Sequence, residues 1–155
     1  MGNIFNSDFQ DFISALNNNK VKYLLVGGYS VILNGYNRTT GDLDIWVRKD
    51  AKNYQCILNA FAEFKMPLFD MTKKNFLENE SLDVFTFGRT PVSIDLMTSV
   101  KGLNFDESFK NSKIHSIENL SVRVVNLNDL LKAKQASARP RDLDDIEKLS
   151  GKKRE

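Results

Sequence analysis

The stretch YLLVGGYSVILNGYNRTTGDLDIWV, Tyr23 to Val47, decides the reading of this chain. It opens on the apolar run Tyr23 to Val26, and Val21 to Val26 predicts a buried strand ending at Gly27-Gly28. A short helix is expected over Tyr29 to Leu33, and Asn34-Gly35 with Asn37 marks a loop. Asp42 to Arg48 then alternates strictly. Leu43, Ile45 and Val47 share one face, and Asp42, Asp44, Trp46 and Arg48 share the other. Glycine at a strand end lets backbone approach a ligand closely, and a following helix start offers unpaired N–H groups to phosphate. Asp42 and Asp44 point the same way and sit close together. Two neighbouring carboxylates repel and are costly to desolvate, and a divalent cation resolves both problems. Hard oxygen ligands without histidine or thiolate point to Mg²⁺ or Mn²⁺.

A third carboxylate lies further on. In VSIDLM, Val92 to Met97, Ser93, Asp95 and Met97 share a face. If this strand lies beside the Asp42 strand, all three carboxylates meet at one spot. Such a triad is able to hold two metal ions for an in-line displacement.

The rest of the chain supplies alternating elements. Ser7 to Leu16 reads as a helix, with a Ser7–Gln10 capping box and Phe9, Phe12, Ile13 and Leu16 on one face. Ala51 to Lys65 is a second long helix. Strands are expected at Leu82–Phe87, Val92–Met97 and Val122–Val125, the first two turned through Gly88-Arg89-Thr90-Pro91. Phe105–Lys110 reads as a short helix, Leu127–Ala138 as a longer one capped by Asn126 or Asn128, and Pro140 opens the last, ending near Leu149. The pattern is α/β or α+β: a mixed β-sheet flanked by helices. One domain over residues 1–150 with a frayed tail at 151–155 is expected.

Composition narrows the function classes. The chain has 155 residues, 41% hydrophobic and 27% charged, which is ordinary for a soluble domain. A single cysteine, Cys56, excludes an internal disulfide framework and a cysteine-built zinc site. His115 is the only histidine, which excludes a multi-histidine metal site and fits a structural role. Twenty-two Lys and Arg against twenty Asp and Glu give a net charge of +2, too little to argue for nucleic acid or membrane by bulk charge. No leader or membrane span is visible, and a cytoplasmic location is expected.

Together, Tyr23–Val47 and the later Asp95 resemble the nucleotidyltransferase fold of the DNA polymerase β superfamily. The run Arg38-Thr39-Thr40-Gly41-Asp42-Leu43-Asp44 and the stretch KAKQASARPRDLDDIEKL, Lys132 to Leu149, are similar to its small bacterial AbiEii-like branch, the latter through a Lys…Arg-x-x-Asp-x-x-Asp ending. The resemblance implies transfer of a nucleoside monophosphate from an NTP to an acceptor with release of pyrophosphate. It implies that Asp42 and Asp44 bind the metals and that Asp95 completes the catalytic site. Gly27 and Gly28 would hold the triphosphate. Many members carry Gly-Ser where this chain has Gly27-Gly28, and Ser30 is the nearest replacement hydroxyl.

Arg38 reads as a phosphate contact or as a loop-organising ion pair. Lys134 shares a helical stripe with Leu127, Leu130, Leu131 and Ala138, so it needs an anion or a route to solvent. Arg139, Asp142 and Asp145 read as an ion-pair network fixing the last two helices. Trp46 and Tyr29 face the carboxylate side, placed either to stack on a base or to pack in the core. The acceptor is left open among a protein side chain, an RNA end and a small molecule, with its site completed by oligomerisation, a partner or the acceptor itself. The alternative is an antitoxin-type module that binds a partner toxin.

Overall fold

A computed structural model describes residues 4–89 and 92–151. The elements follow in the order α1 (Ser7–Asn18), β1 (Tyr23–Val26), α2 (Gly27–Leu33), β2 (Leu43–Val47), α3 (Ala51–Phe64), α4 (Lys73–Leu77), β3 (Val84–Phe87), β4 (Ile94–Met97), α5 (Phe105–Lys110), β5 (Lys113–Ile117), β6 (Leu120–Val124), α6 (Leu127–Ser137) and α7 (Pro140–Leu149). The strands form one mixed sheet in the order β3-β4-β2-β1-β6-β5. β1 runs antiparallel to β2 and parallel to β6, and β2 runs parallel to β4.

Both sheet faces are covered, which is why Tyr23-Leu24-Leu25-Val26 shows no polar alternation. Tyr23 and Leu25 join the larger core, under α1 and α3, with Leu43, Ile45, Val47, Phe12 and Phe61. Leu24 and Val26 point the other way, into a smaller core with Trp46, Val125 and Leu130. That second core lies under α5, α6 and α7 and leaves the carboxylate end of the sheet open.

Several expected boundaries shift by a residue or two. Asn6, not Ser7, caps α1, its Oδ1 accepting the Phe9 N–H at 2.8 Å, and the helix continues through Asn17 and Asn18. Helix α2 begins at Gly27 rather than Tyr29. Helix α6 stops at Ser137, because Ala138 is its left-handed cap and is exposed, so the Leu127–Ala138 stripe loses its last member. Two elements escape sequence reading. The five-residue α4 is too short to show a helical period. The edge strand β5 (KIHSI) has no buried residue, and it pairs with β6 through a turn where Glu118 takes φ 55°. His115 sits on this edge strand opposite Val122, and burial followed by the Lys113 charge lowers its pKa. Thr90 and Pro91 of the expected turn, and the tail past Gly151, lie outside the described residues. Among the described residues no helix is long and apolar enough to cross a membrane.

Candidate active site

The sheet register assembles the carboxylates. Asp44 on β2 stands directly opposite Asp95 on the parallel neighbour β4, and opposite Val26 at the end of β1 on its other side. The glycine pair therefore begins one residue beyond the position facing Asp44. Gly27 takes φ +70°, and a Cβ built on it lies 2.7 Å from Asp44 Cγ. Gly28 is pressed against Thr40 in the same way, 2.7 Å from Thr40 Cβ. Any side chain at either position displaces the groups that frame the Asp-x-Asp. Gly27→Ala is expected to cost roughly 2–4 kcal/mol, combining left-handed strain with overpacking. Gly35→Ala is the control. Gly35 has φ +106° and nothing within 4 Å, so only the backbone cost remains. Urea midpoints of the two variants should differ accordingly.

Asp44 is mostly buried, and its pKa rises from 3.8 to about 7. Burial is the largest cause, followed by the charges of Asp95 and Asp42 and a hydrogen bond shared with Asp95; Lys134 opposes the rise. Thr86 of β3 donates its hydroxyl to Asp95 Oδ1 at 2.7 Å. Asp42 precedes β2, and its Oδ1 accepts the Ser93 N–H at 3.1 Å. Asp44 and Asp95 thus form a close pair of hard oxygen donors, with Asp42 next to them. Among the described residues no three metal-ligating side chains are already gathered as a cage. The chemistry of the donor set nevertheless fits a divalent cation, since the proton that Asp44 retains occupies the place of a missing positive charge.

Asp44 and Gly27 lie in the wall of a cleft of about 320 Å³, whose polar lining includes Ser99, Lys101, Lys134 and Arg139. Asp42, Asp95, Gly28 and Arg38 do not line it. Arg38 instead donates to Asp145 Oδ2 at 2.7 Å. Lys134 is buried, and its Nζ lies 3.1 Å from Asp145 and 3.4 Å from Asp142. Arg139 bonds Asp142 at 2.7 Å, its own side chain exposed. Burial pushes Asp142 up, but its bonds to Arg139 and the charge of Lys134 leave it below the usual carboxylate range. The expected network of Arg139, Asp142 and Asp145 is present, and it also captures Arg38 and Lys134. The anion that Lys134 required is this pair of aspartates.

Three further side chains turn inward. The Ser30 hydroxyl is fully buried and donates to the Gly27 carbonyl at 2.6 Å, so it braces the glycine turn instead of reaching outward. Trp46 is 1% exposed and packs edge-on against Phe105. Tyr29 is buried between Phe5 and Phe9, close enough for the Asp42 charge to add to the effect of burial in raising its pKa. Both aromatics are core. Thr86, Ser99 and Lys101 went unnoticed in the sequence. Their only signal is position: Thr86 opposes Asp95 across an antiparallel pair, and Ser99 and Lys101 follow the strand that carries Asp95.

Three solved structures similar in fold bear nucleotidyltransferase names. A Thermotoga maritima protein assigned to the nucleotidyltransferases superposes with a TM-score of 0.58 at 14% identity, over 94% of this chain and 91% of that one. The lincosamide antibiotic adenylyltransferase LnuA, with lincomycin bound, gives 0.54 at 13% identity, over 96% and 98%. An antigenic nucleotidyltransferase-like protein from Paracoccidioides brasiliensis gives 0.52 at 14% identity, over 94% and 77%. No curated protein matches the chain in sequence. The model of a family of nucleotidyltransferases of unknown function, DUF6036, matches residues 7–151, and with the whole fold and the carboxylate end of its sheet inside that span the chain belongs to this family.

Proposed function

We propose that the chain is a metal-dependent nucleotidyltransferase that moves a nucleoside monophosphate from an NTP to a hydroxyl acceptor. The observation that carries this reading is the register: Asp44 opposite Asp95, closed at the side by Gly27. In the reaction an acceptor oxygen bonds to the α-phosphorus, the bond to the bridging oxygen breaks, and pyrophosphate leaves with that electron pair. Mg²⁺ or Mn²⁺, held by Asp42, Asp44 and Asp95, would supply Lewis-acid stabilisation of the phosphoryl oxygens. Asp95, which accepts the Thr86 hydroxyl, would take the proton from the acceptor. Gly27 and Gly28 keep side chains away from the phosphates; in the cleft wall Lys134 and Arg139 are already paired with aspartates, and Lys101 is the lining cation left to meet a phosphate. The volume sits at the low end for a small-molecule site, which suits one nucleotide. Arg38 acts through Asp145, not on phosphate.

The acceptor is a protein side chain, an RNA end or a small molecule. The lincomycin on LnuA makes the last worth testing first. Placement in the AbiEii-like branch rests on the motif order and belongs to this same reading, as does a cytoplasmic location. Titration calorimetry with each of the four NTPs, with and without Mg²⁺, tests the donor site on wild type and on Asp42→Ala/Asp44→Ala. Metal-dependent binding lost in the double variant is the expected result. Metal-independent binding, or binding that survives the double substitution, overturns it.

A further inference from the structure

The face that carries Asp44 and Asp95 has a second polar end. Along β1 and β2 the side chains alternate, so Lys22 lies on the side of Leu24 and Val26, and Arg48 on the side of Asp44 and Trp46. Arg123 of β6, between the inward-facing Val122 and Val124, emerges on the same face. This end lies about 13 Å from Asp44, counting four residues along β2. Two adjoining hollows of about 240 and 70 Å³ meet here and share Lys20 and Lys22. Arg123 lines the first and Lys52 the second. Arg48 is already neutralised by Asp50 and Asp106. Among the described residues Lys20, Lys22, Lys52 and Arg123 have no carboxylate within ion-pair distance, although the Lys22 charge is felt by Asp106 and Asp50 lines the second hollow. Four unpaired cations in one place, on a chain whose net charge is only +2, amount to local concentration of charge.

The geometry of Arg123 narrows the partner. Its guanidinium lies 4.5 Å over the Phe109 ring, and Phe109 stacks in turn on Phe105 at 5.5 Å. Among the described residues the one side-chain hydrogen bond it makes goes to the Ser112 hydroxyl at 3.1 Å. A guanidinium held flat by an aromatic ring presents both a plane to stack on and outward N–H groups for phosphate. Lys20 and Lys22 are exposed and flank it across the chain reversal between α1 and β1, where Lys20 takes φ 56°.

We propose that this surface binds single-stranded nucleic acid, with phosphates along Lys20, Lys22 and Lys52 and a base on the Arg123 plane. The site is separate from the carboxylates, and its occupancy does not depend on the transfer reaction.

The test is fluorescence anisotropy of a labelled twelve-nucleotide RNA, with a DNA of the same sequence and polyglutamate as further probes. The full chain is titrated at several salt concentrations. Binding of the RNA or the DNA is expected at a Kd on the order of 10⁻⁶–10⁻⁴ M, with a log–log salt slope near −3 for about four phosphate contacts. Lys20→Gln/Lys22→Gln should weaken it at least about tenfold and flatten the slope by about 1.4. These two side chains are exposed, so the fold survives the change. Arg123→Lys, which keeps the charge but loses the plane, should weaken binding without flattening the slope. Lys73→Gln/Lys74→Gln on α4, against the other core, should bind as wild type. Asp44→Asn should also bind, which separates this surface from the transfer site. No binding at low salt, a patch variant that binds as tightly as wild type, or equal capture of polyglutamate would overturn the proposal.

Discussion

On the proposed function, Asp44→Asn is expected to lower nucleotidyl transfer by on the order of 10³-fold or more and, at the same time, to make the metal-free protein more stable at pH 8. Both effects come from one carboxylate. Its pKa is 3.8 when exposed and about 7 in the fold, so the fold prefers the neutral acid. Stability from this group is therefore complete below pH 4 and is lost as the pH rises through 7. The full cost of ionising it in the folded protein is at most roughly 4 kcal/mol. Asparagine keeps the shape and carries no charge to bury. Melts in EDTA from pH 5 to 8.5 should show the wild-type curve falling relative to that of Asp44→Asn, the gap widening up to about pH 7 and staying constant above it. Mg²⁺ should close the gap by stabilising wild type alone. A difference between the two proteins that does not change with pH would refute the electrostatic account. Transfer retained in Asp44→Asn would refute the catalytic one.

The contrast between Asp44 and Arg38 shows what a linear sequence discloses. Period-two alternation in Asp42–Arg48 makes the strand and its carboxylate face visible, because a strand has only two faces. The meeting of Asp44 with Asp95 was conditional on an adjacency that the sequence does not contain, and the parallel pairing of β2 and β4 supplies it. Arg38 and Lys134 were harder. Each has local surroundings that suit a phosphate contact, and each is instead drawn to an aspartate more than a hundred or about ten residues away. Helix α7 brings those aspartates inward, and its capping by Arg139 and Asp142 is a purely local motif that says nothing of what its buried face will meet. Trp46 stays open between base stacking and core packing in the sequence for a related reason. Alternation assigns it to the carboxylate face, but α5 covers that part of the face and turns it into core.

The buried charge network yields the largest expected loss of stability. Asp145 is 2% exposed in its side chain and holds two cations at once, Arg38 at 2.7 Å and Lys134 at 3.1 Å, each 10% exposed. Replacing it by alanine leaves the Arg38 guanidinium with no carboxylate within ion-pair distance among the described residues, and leaves Lys134 with Asp142 alone at 3.4 Å. Removing one partner of a buried pair costs about 3–5 kcal/mol, since the remaining charge has neither water nor a counterion. The urea midpoint of Asp145→Ala should fall accordingly. Asp144→Ala is the comparison, because that neighbour accepts only a long 3.3 Å bond from Tyr36 and should lose far less. The double variant Arg38→Met/Asp145→Ala isolates the cause. Removing the stranded guanidinium together with its partner should recover part of the loss, giving a coupling energy opposite in sign to the single costs. If the double variant is simply the sum of the two singles, Arg38 and Asp145 are not coupled. The link between α7 and the loop that delivers Asp42 and Asp44 would then have to rest on packing.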